Sequence, residues 1–160
     1  MIGHLPKART FIAIATVFTA ACGLPRDPER TSERIASTHE LRVGLTDNPP
    51  WTSTQSPEPT GIEPELVRGF ASRMGAKVLW SRGSETSLAQ ALKRHELDLA
   101  IGGFDAKTPW KSIAGLSQPF SQSYDKQKHV MLTAPGENAF VLTLDAFLTD
   151  HMRASKGAAR

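Results

Sequence analysis

The chain has 160 residues, of which 39% are hydrophobic and 22% charged, so it is long enough for one packed domain and too apolar for a disordered chain. The formal net charge is +3, but residues 40–150 hold 11 Lys and Arg against 13 Asp and Glu. Because the excess positive charge lies in the terminal segments, the composition argues against nucleic-acid binding. A single cysteine excludes an intrachain disulfide.

Residues 1–22 have the layout of a secretory signal peptide. A short basic start with Lys7 and Arg9 precedes an apolar run over residues 11–21, which ends in small residues. As a helix that run spans only about 16 Å of a hydrocarbon core about 30 Å thick, which is too short for a stable membrane span. We therefore expect export across a membrane; the alternative is an apolar helix that packs on the domain.

Cys22 directly follows two alanines, where bacterial lipoprotein leaders keep the thiol that becomes lipid-modified. We expect lipid attachment at Cys22 and a location at the periplasmic or extracellular face of a membrane. Thr19 departs from the aliphatic residue usual in such leaders, and ordinary cleavage with an incidental thiol is the alternative. Residues 23–39 are rich in proline, serine and charge, which predicts a flexible linker between membrane and domain.

The folded part, residues 40–150, alternates strands and helices. Hydrophobic periodicity and turn residues predict, in order, a strand, an amphipathic helix, a strand, a helix and a buried strand at residues 41–45, 66–74, 77–80, 87–96 and 97–103. A short helix, a strand and a last helix follow at residues 108–114, 128–133 and from 138 onward. Residues 151–160 are basic and small, and we expect a disordered tail. This order predicts an α/β fold with a mostly parallel sheet flanked by helices.

Ligands of open α/β sheets bind beyond the carboxyl ends of the strands. Trp51 and Phe104 lie in such loops and offer flat apolar faces, while Lys111 supplies a positive charge, which suits a small organic acid or amino compound. The alternative is that both rings cover loops against the core and that Asp105 is an ordinary turn residue. The candidate ligand-binding residues are Asp47, Trp51, Gly103, Phe104, Asp105, Thr108 and Lys111.

Other kinds of site find little support. A phosphate loop near Lys107 lacks both required glycines, the five histidines lack metal-ligand spacing, and no serine lies in a nucleophile elbow. Glu63 and Glu65 begin a helix, where the helix dipole is sufficient explanation for them. We expect no cofactor, no metal and no enzyme activity.

Five segments taken together resemble the amino-acid type of periplasmic solute-binding protein, the receptor of ABC importers: residues 41–44, 49–51, 60–66, 97–103 and 116–120. The resemblance covers about residues 40–134. It implies a Rossmann-like lobe of a type II periplasmic binding protein, with the ligand stacked on Trp51 and met by backbone groups from Gly103 to Asp105. It also implies a small polar metabolite as ligand and an ABC permease or other membrane protein as partner.

The chain departs from that family in two ways. Lys111 stands where the family usually has an arginine that holds the ligand carboxylate, so the planar two-pronged hydrogen bond is lost. Residues 135–138 lead straight into a final helix where the family crosses into a second lobe, so we expect a single lobe. An open half-site predicts weak binding unless a second copy or a membrane protein supplies the missing wall.

The alternatives are a protein-interaction domain or truncated remnant without ligand binding and, less favoured, a dehydratase-like enzyme acting on prephenate-like acids.

Overall fold

The computed structural model describes residues 27–120 and 127–158. The signal peptide predicted for residues 1–22 and the lipid attachment predicted at Cys22 lie outside the described residues. Within them the elements run α1 (Thr31–Thr38), β1 (Glu40–Leu45), α2 (Ile62–Arg73), β2 (Lys77–Arg82), α3 (Glu85–Lys93), β3 (Leu99–Asp105), a short 3-10 helix (Pro109–Ser112), β4 (Gly115–Leu116), β5 (His129–Thr133) and α4 (Asn138–Ala158). None of these helices is long and apolar enough to cross a membrane.

The strands of the described residues form one sheet in the order β2-β1-β3-β5-β4. β1 pairs in parallel with β2 and β3, whereas β5 is antiparallel to both β3 and β4. All strands except β5 therefore point the same way, which confirms the predicted α/β lobe with a mostly parallel sheet. The carboxyl ends of β1, β2 and β3 lie at one edge, where β5 begins.

Alternate residues of the strands enter two cores on opposite faces of the sheet. On β3, Leu99 and Ile101 belong to the main core, which contains side chains of α1, α2 and α4. Ala100 and Phe104 of the same strand belong to a smaller core with Leu88 and Leu92 of α3. Helices thus cover both faces of the sheet, and the loops at its edges are left to form a site.

The segment expected to be a flexible linker contains a docked helix, so the prediction of flexibility over residues 23–39 was wrong in its described part. Ile35 of α1 is fully buried in the main core. Both carboxylate oxygens of the buried Glu137 accept hydrogen bonds at the start of α1, from the Glu29 amide at 2.9 Å and the Thr31 amide at 3.1 Å. The buried Ile35, the capping carboxylate of Glu137 and an ion pair from Arg34 to the buried Asp98 order a stretch whose composition is otherwise polar.

The predicted disordered tail is also helical in its described part, because α4 continues to Ala158. Met152 packs against the main core and extends the apolar face of the helix by one more turn. No proline interrupts residues 138–158. The helix therefore continues past residue 150, where the domain was expected to end.

Candidate functional site

A bulge of two glycines interrupts β3 at the carboxyl edge of the sheet. Ala100 pairs with Leu132 and Phe104 with Val130, so three residues of β3 face a single residue of β5 between these pairs. Gly102 has φ +156° and Gly103 φ +69°. Backbone at these angles strongly favours glycine, and a bulge re-aims the residues that follow it.

The carboxylate of Glu63 holds this bulge. Its Oε2 atom accepts hydrogen bonds from the amides of Gly102 at 2.8 Å and Gly103 at 2.9 Å, and from the Thr52 hydroxyl at 3.0 Å. Glu63 is fully buried. The helix dipole, which the sequence-based explanation invoked for this residue, is therefore not its main role.

The loop after β1 closes against the other side of the bulge. A Cβ atom built on Gly102 would lie 2.3 Å from Thr46 Cγ2, and one on Gly103 would lie 2.4 Å from Asn48 Nδ2. Asn48 Nδ2 also donates to the Gly102 carbonyl at 2.8 Å. Loop and bulge thus pack too closely to admit a side chain at either glycine.

Neither aromatic ring predicted to meet a ligand presents an open face. Trp51 is 5% exposed, and its ring stacks on His129 with 3.8 Å between centroids. Phe104 is 4% exposed and lies in the smaller core. The alternative that these rings cover loops against the core is the one that their burial favours.

The polar residues predicted for the site lie in two places. Asp47 Oδ1 accepts from the amide and hydroxyl of Thr54, which closes the loop after β1. Asp105 Oδ1 accepts from the Lys107 amide at 2.7 Å, and Thr108 caps the 3-10 helix through the Trp110 amide. These contacts are those of turn and cap residues.

A cavity of about 300 Å³ opens at the end of β3. Asp105 ends β3, and Lys128 immediately precedes β5, so the cavity lies at the carboxyl edge of the sheet. Lys111, the cation expected from the sequence, is exposed on the 3-10 helix and does not line it. The described residues that line it are Asp105, Ala106, Lys107, Gln127 and Lys128.

Sequence reasoning missed Glu63 and the two lysines of this cavity. Glu63 lies three, four and seven residues before Leu66, Val67 and Phe70, so helical spacing places it on the buried face of α2. That spacing could have predicted from the sequence that Glu63 is buried.

The described residues contain no cluster of three or more histidine, cysteine or acidic side chains that could hold a metal ion.

Burial raises the pKa of the Glu63 carboxyl above its ordinary value of 4.5, although hydrogen bonds from Gly103, Thr52 and Gly102 and the charge of His129 oppose the rise. In the unfolded chain Glu63 loses its proton at the ordinary pKa, whereas the folded chain keeps it to higher pH. The folded state therefore binds more protons in that interval, and stability falls as pH rises through it.

Glu63→Gln is expected to remove this part of the pH dependence, because glutamine does not ionise. Urea unfolding of both proteins, at pH values on either side of the ordinary carboxyl pKa, measures the effect. If the free energy of unfolding changed with pH in the same way in both proteins, between the ordinary and the raised pKa of Glu63, that result would contradict the raised pKa.

Known proteins resemble this chain in sequence and in fold. Membrane-bound lytic murein transglycosylase F of Vibrio cholerae serotype O1 is 30% identical over 100 residues, which are 62% of this chain and 19% of that protein. The arginine-bound form of domain 1 of ArgBP from T. maritima superposes with a TM-score of 0.66 and 19% identity, covering 73% of this chain and 97% of that domain. An ancestral cyclohexadienyl dehydratase gives a TM-score of 0.53 and 26% identity, covering 57% of this chain and 39% of that protein.

The expectation that the chain has no enzyme activity is contradicted by its relatives, which carry the name of an enzyme, a lytic murein transglycosylase. The match covers only 19% to 21% of the length of these relatives.

A family profile covers most of the described lobe. A sequence profile of the bacterial extracellular solute-binding proteins, family 3, matches residues 41–156. That range runs from β1 to the last turns of α4, so it includes the sheet, the glycine bulge and the cavity. The chain belongs to the bacterial extracellular solute-binding proteins, family 3.

Proposed function

We propose that this chain is a solute-binding or sensing module whose cavity at the carboxyl edge of the sheet binds a small amino acid or organic acid. The observation that carries the proposal is the charge of that cavity, where Lys107 and Lys128 stand beside Asp105. The arginine-bound state of the similar ArgBP domain supports an amino-acid ligand for a lobe of this fold.

The lining suggests how such a ligand is oriented. The two lysine ammonium groups attract a carboxylate, and the Asp105 carboxylate attracts an ammonium group. Because the described residues of the lining carry two positive charges and one negative charge, they favour ligands with neutral or acidic side chains over arginine. Lys111 adds a further positive charge to the loop after β3. Both cavity lysines are exposed, so solvent screens them and we expect weak affinity.

A second surface is expected to close over this half-site. A second copy of the chain, an ABC permease or another membrane protein would exclude water from the cavity and strengthen its charge interactions. The membrane-bound relatives favour a partner at the membrane, and the predicted leader with Cys22 favours a lipid-anchored lobe on the periplasmic face.

The names of the relatives point to a role in cell-wall turnover in addition to transport. Because the matching region occurs in proteins named lytic murein transglycosylase F, we propose that solute binding by this lobe serves a cell-wall system as an input signal. The same cavity would serve either role, since transport and sensing both begin with solute capture.

Isothermal titration calorimetry of the full chain with glutamate, glutamine, arginine and succinate tests the proposed site. Lys128→Ala is expected to weaken binding of the preferred solute by about threefold, because an exposed, solvent-screened ion pair contributes at most about 1 kcal/mol. Lys93→Ala, which removes an exposed lysine of α3, is the matched control and should leave the affinity unchanged. Absence of saturable heat with all four solutes, or an unchanged affinity in Lys128→Ala, would contradict the proposal.

A further inference from the structure

We propose that Glu63 is a positioning residue of the solute cavity and acts through the bulge of Gly102 and Gly103. The inference rests on the proposed function, because the cavity is the proposed binding site. It assigns a binding role to a buried side chain that does not line the cavity.

The bulge needs an acceptor from outside the sheet. Gly102 and Gly103 lie between the pairs that join β3 to β5, and their amides donate to a side chain of α2 outside the sheet. A buried amide without an acceptor costs about 1–3 kcal/mol. Glu63 Oε2 accepts from both amides at once. The carboxylate therefore stabilises the backbone conformation in which both N–H groups point to the Oε2 atom of Glu63.

The bulge in turn sets the walls of the cavity. Two residues beyond Gly103, Asp105 pairs with His129, and the Ala106 amide donates to the Lys128 carbonyl at 2.9 Å. These contacts bring the Asp105 turn beside Lys128. If the bulge changed conformation, the register of these pairs and the spacing of the two cavity walls would change with it.

The surroundings of Glu63 hold the carboxylate in place from several elements. The Glu63 amide donates to the Trp51 carbonyl at 3.0 Å, which fixes the start of α2 against the loop after β1. Thr52 donates to the carboxylate from the same loop. From β5, His129 is the titratable group whose charge acts on Glu63. A carboxylate fixed in this way can orient the bulge with little freedom of its own.

Three variants separate positioning from general stability. Glu63→Gln keeps an oxygen that can accept from both glycine amides, Glu63→Ala removes it, and Glu65→Ala changes the exposed neighbouring carboxylate as the matched control. The readouts are hydrogen exchange of the Gly102 and Gly103 amides by NMR and the affinity of the full chain for the solute that binds the wild type best.

We expect Glu63→Ala to speed exchange at both glycines at least tenfold, with amides between β1 and β2 still protected, and to weaken solute binding at least tenfold. Glu63→Gln should restore both readouts to within about threefold of the wild type, and Glu65→Ala should match the wild type. If Glu63→Ala does not fold, Glu63→Asp retracts the carboxylate by one methylene and should show the same two effects in weaker form.

The outcomes also separate this inference from the proposed function. A folded Glu63→Ala protein with wild-type exchange and affinity would overturn the positioning role, as would a Glu63→Gln protein that loses as much affinity as Glu63→Ala. A wild type that binds no solute would overturn the proposed function, and with it the role assigned to Glu63 in binding, even if the exchange result stood.

Discussion

Asp98→Ala is expected to lower the free energy of unfolding by about 3 kcal/mol. The Asp98 side chain is almost fully buried and accepts from the Arg42 amide at 2.8 Å, Arg42 Nη2 at 2.7 Å and Arg34 Nη2 at 2.5 Å. Alanine leaves a backbone amide without its acceptor and two guanidinium groups without their partner. Chemical unfolding in urea, followed by circular dichroism, measures the loss.

Asp150→Ala is the control for this result. Asp150 also pairs with an arginine, Arg73 at 2.8 Å, but both side chains are about half exposed. Solvent screens such a pair, so the control should change stability by less than about 0.5 kcal/mol. Equal losses in the two variants would mean that the buried position of Asp98 contributes nothing beyond an ordinary surface ion pair.

Ile35→Ala is expected to cost about 3 kcal/mol, because it removes a fully buried side chain from the main core and leaves a cavity. The result distinguishes a docked α1 from the flexible linker that the composition of residues 23–39 predicts. The same unfolding experiment applies, and the loss of stability should appear without a change in solute affinity.

Ser37→Ala, on the exposed side of α1, is the matched control and should stay within about 0.5 kcal/mol of the wild type. A flexible linker would make both substitutions equally silent. That outcome would contradict the docked helix and restore the earlier interpretation of this segment.

Local pattern predicted the central elements of the fold well. The apolar spacing from Leu66 to Met74 marks α2, Gly75 follows its end with φ +66°, and Ser84 caps α3. Helix spacing and helix ends depend on residues within one or two helical turns of each other, so they can be predicted from a single sequence. The strand and helix order then fixed the parallel part of the sheet.

Contacts between distant residues were not predictable in the same way. Helix α1 buries one isolated apolar residue and receives its cap from Glu137, more than 100 positions away. Strand β4 has two residues, too few to show any alternation. No periodicity signals elements of this kind, because the interactions that order them come from elsewhere in the chain.

In the candidate site, too, features of single loops were predictable, whereas contacts between distant residues were not. The sequence located the loops at the carboxyl edge of the sheet, but it could not show that Trp51 is covered by His129, which lies 78 positions further on in β5. It assigned the positive charge to Lys111, whereas the cavity is lined by Lys107 and Lys128. Lys128 reaches the cavity only because β5 runs antiparallel to β3.

The most direct test of solute binding at this edge is an NMR titration of the ¹⁵N-labelled full chain with glutamate. We expect saturable shifts concentrated at the amides of Ala106, Lys107 and Lys128, with the amides of the β1–β2 pair unchanged. The absence of saturable shifts, or shifts confined to the groove that residues of α2 and β2 form around Lys77 and Trp80, would contradict solute binding at this edge.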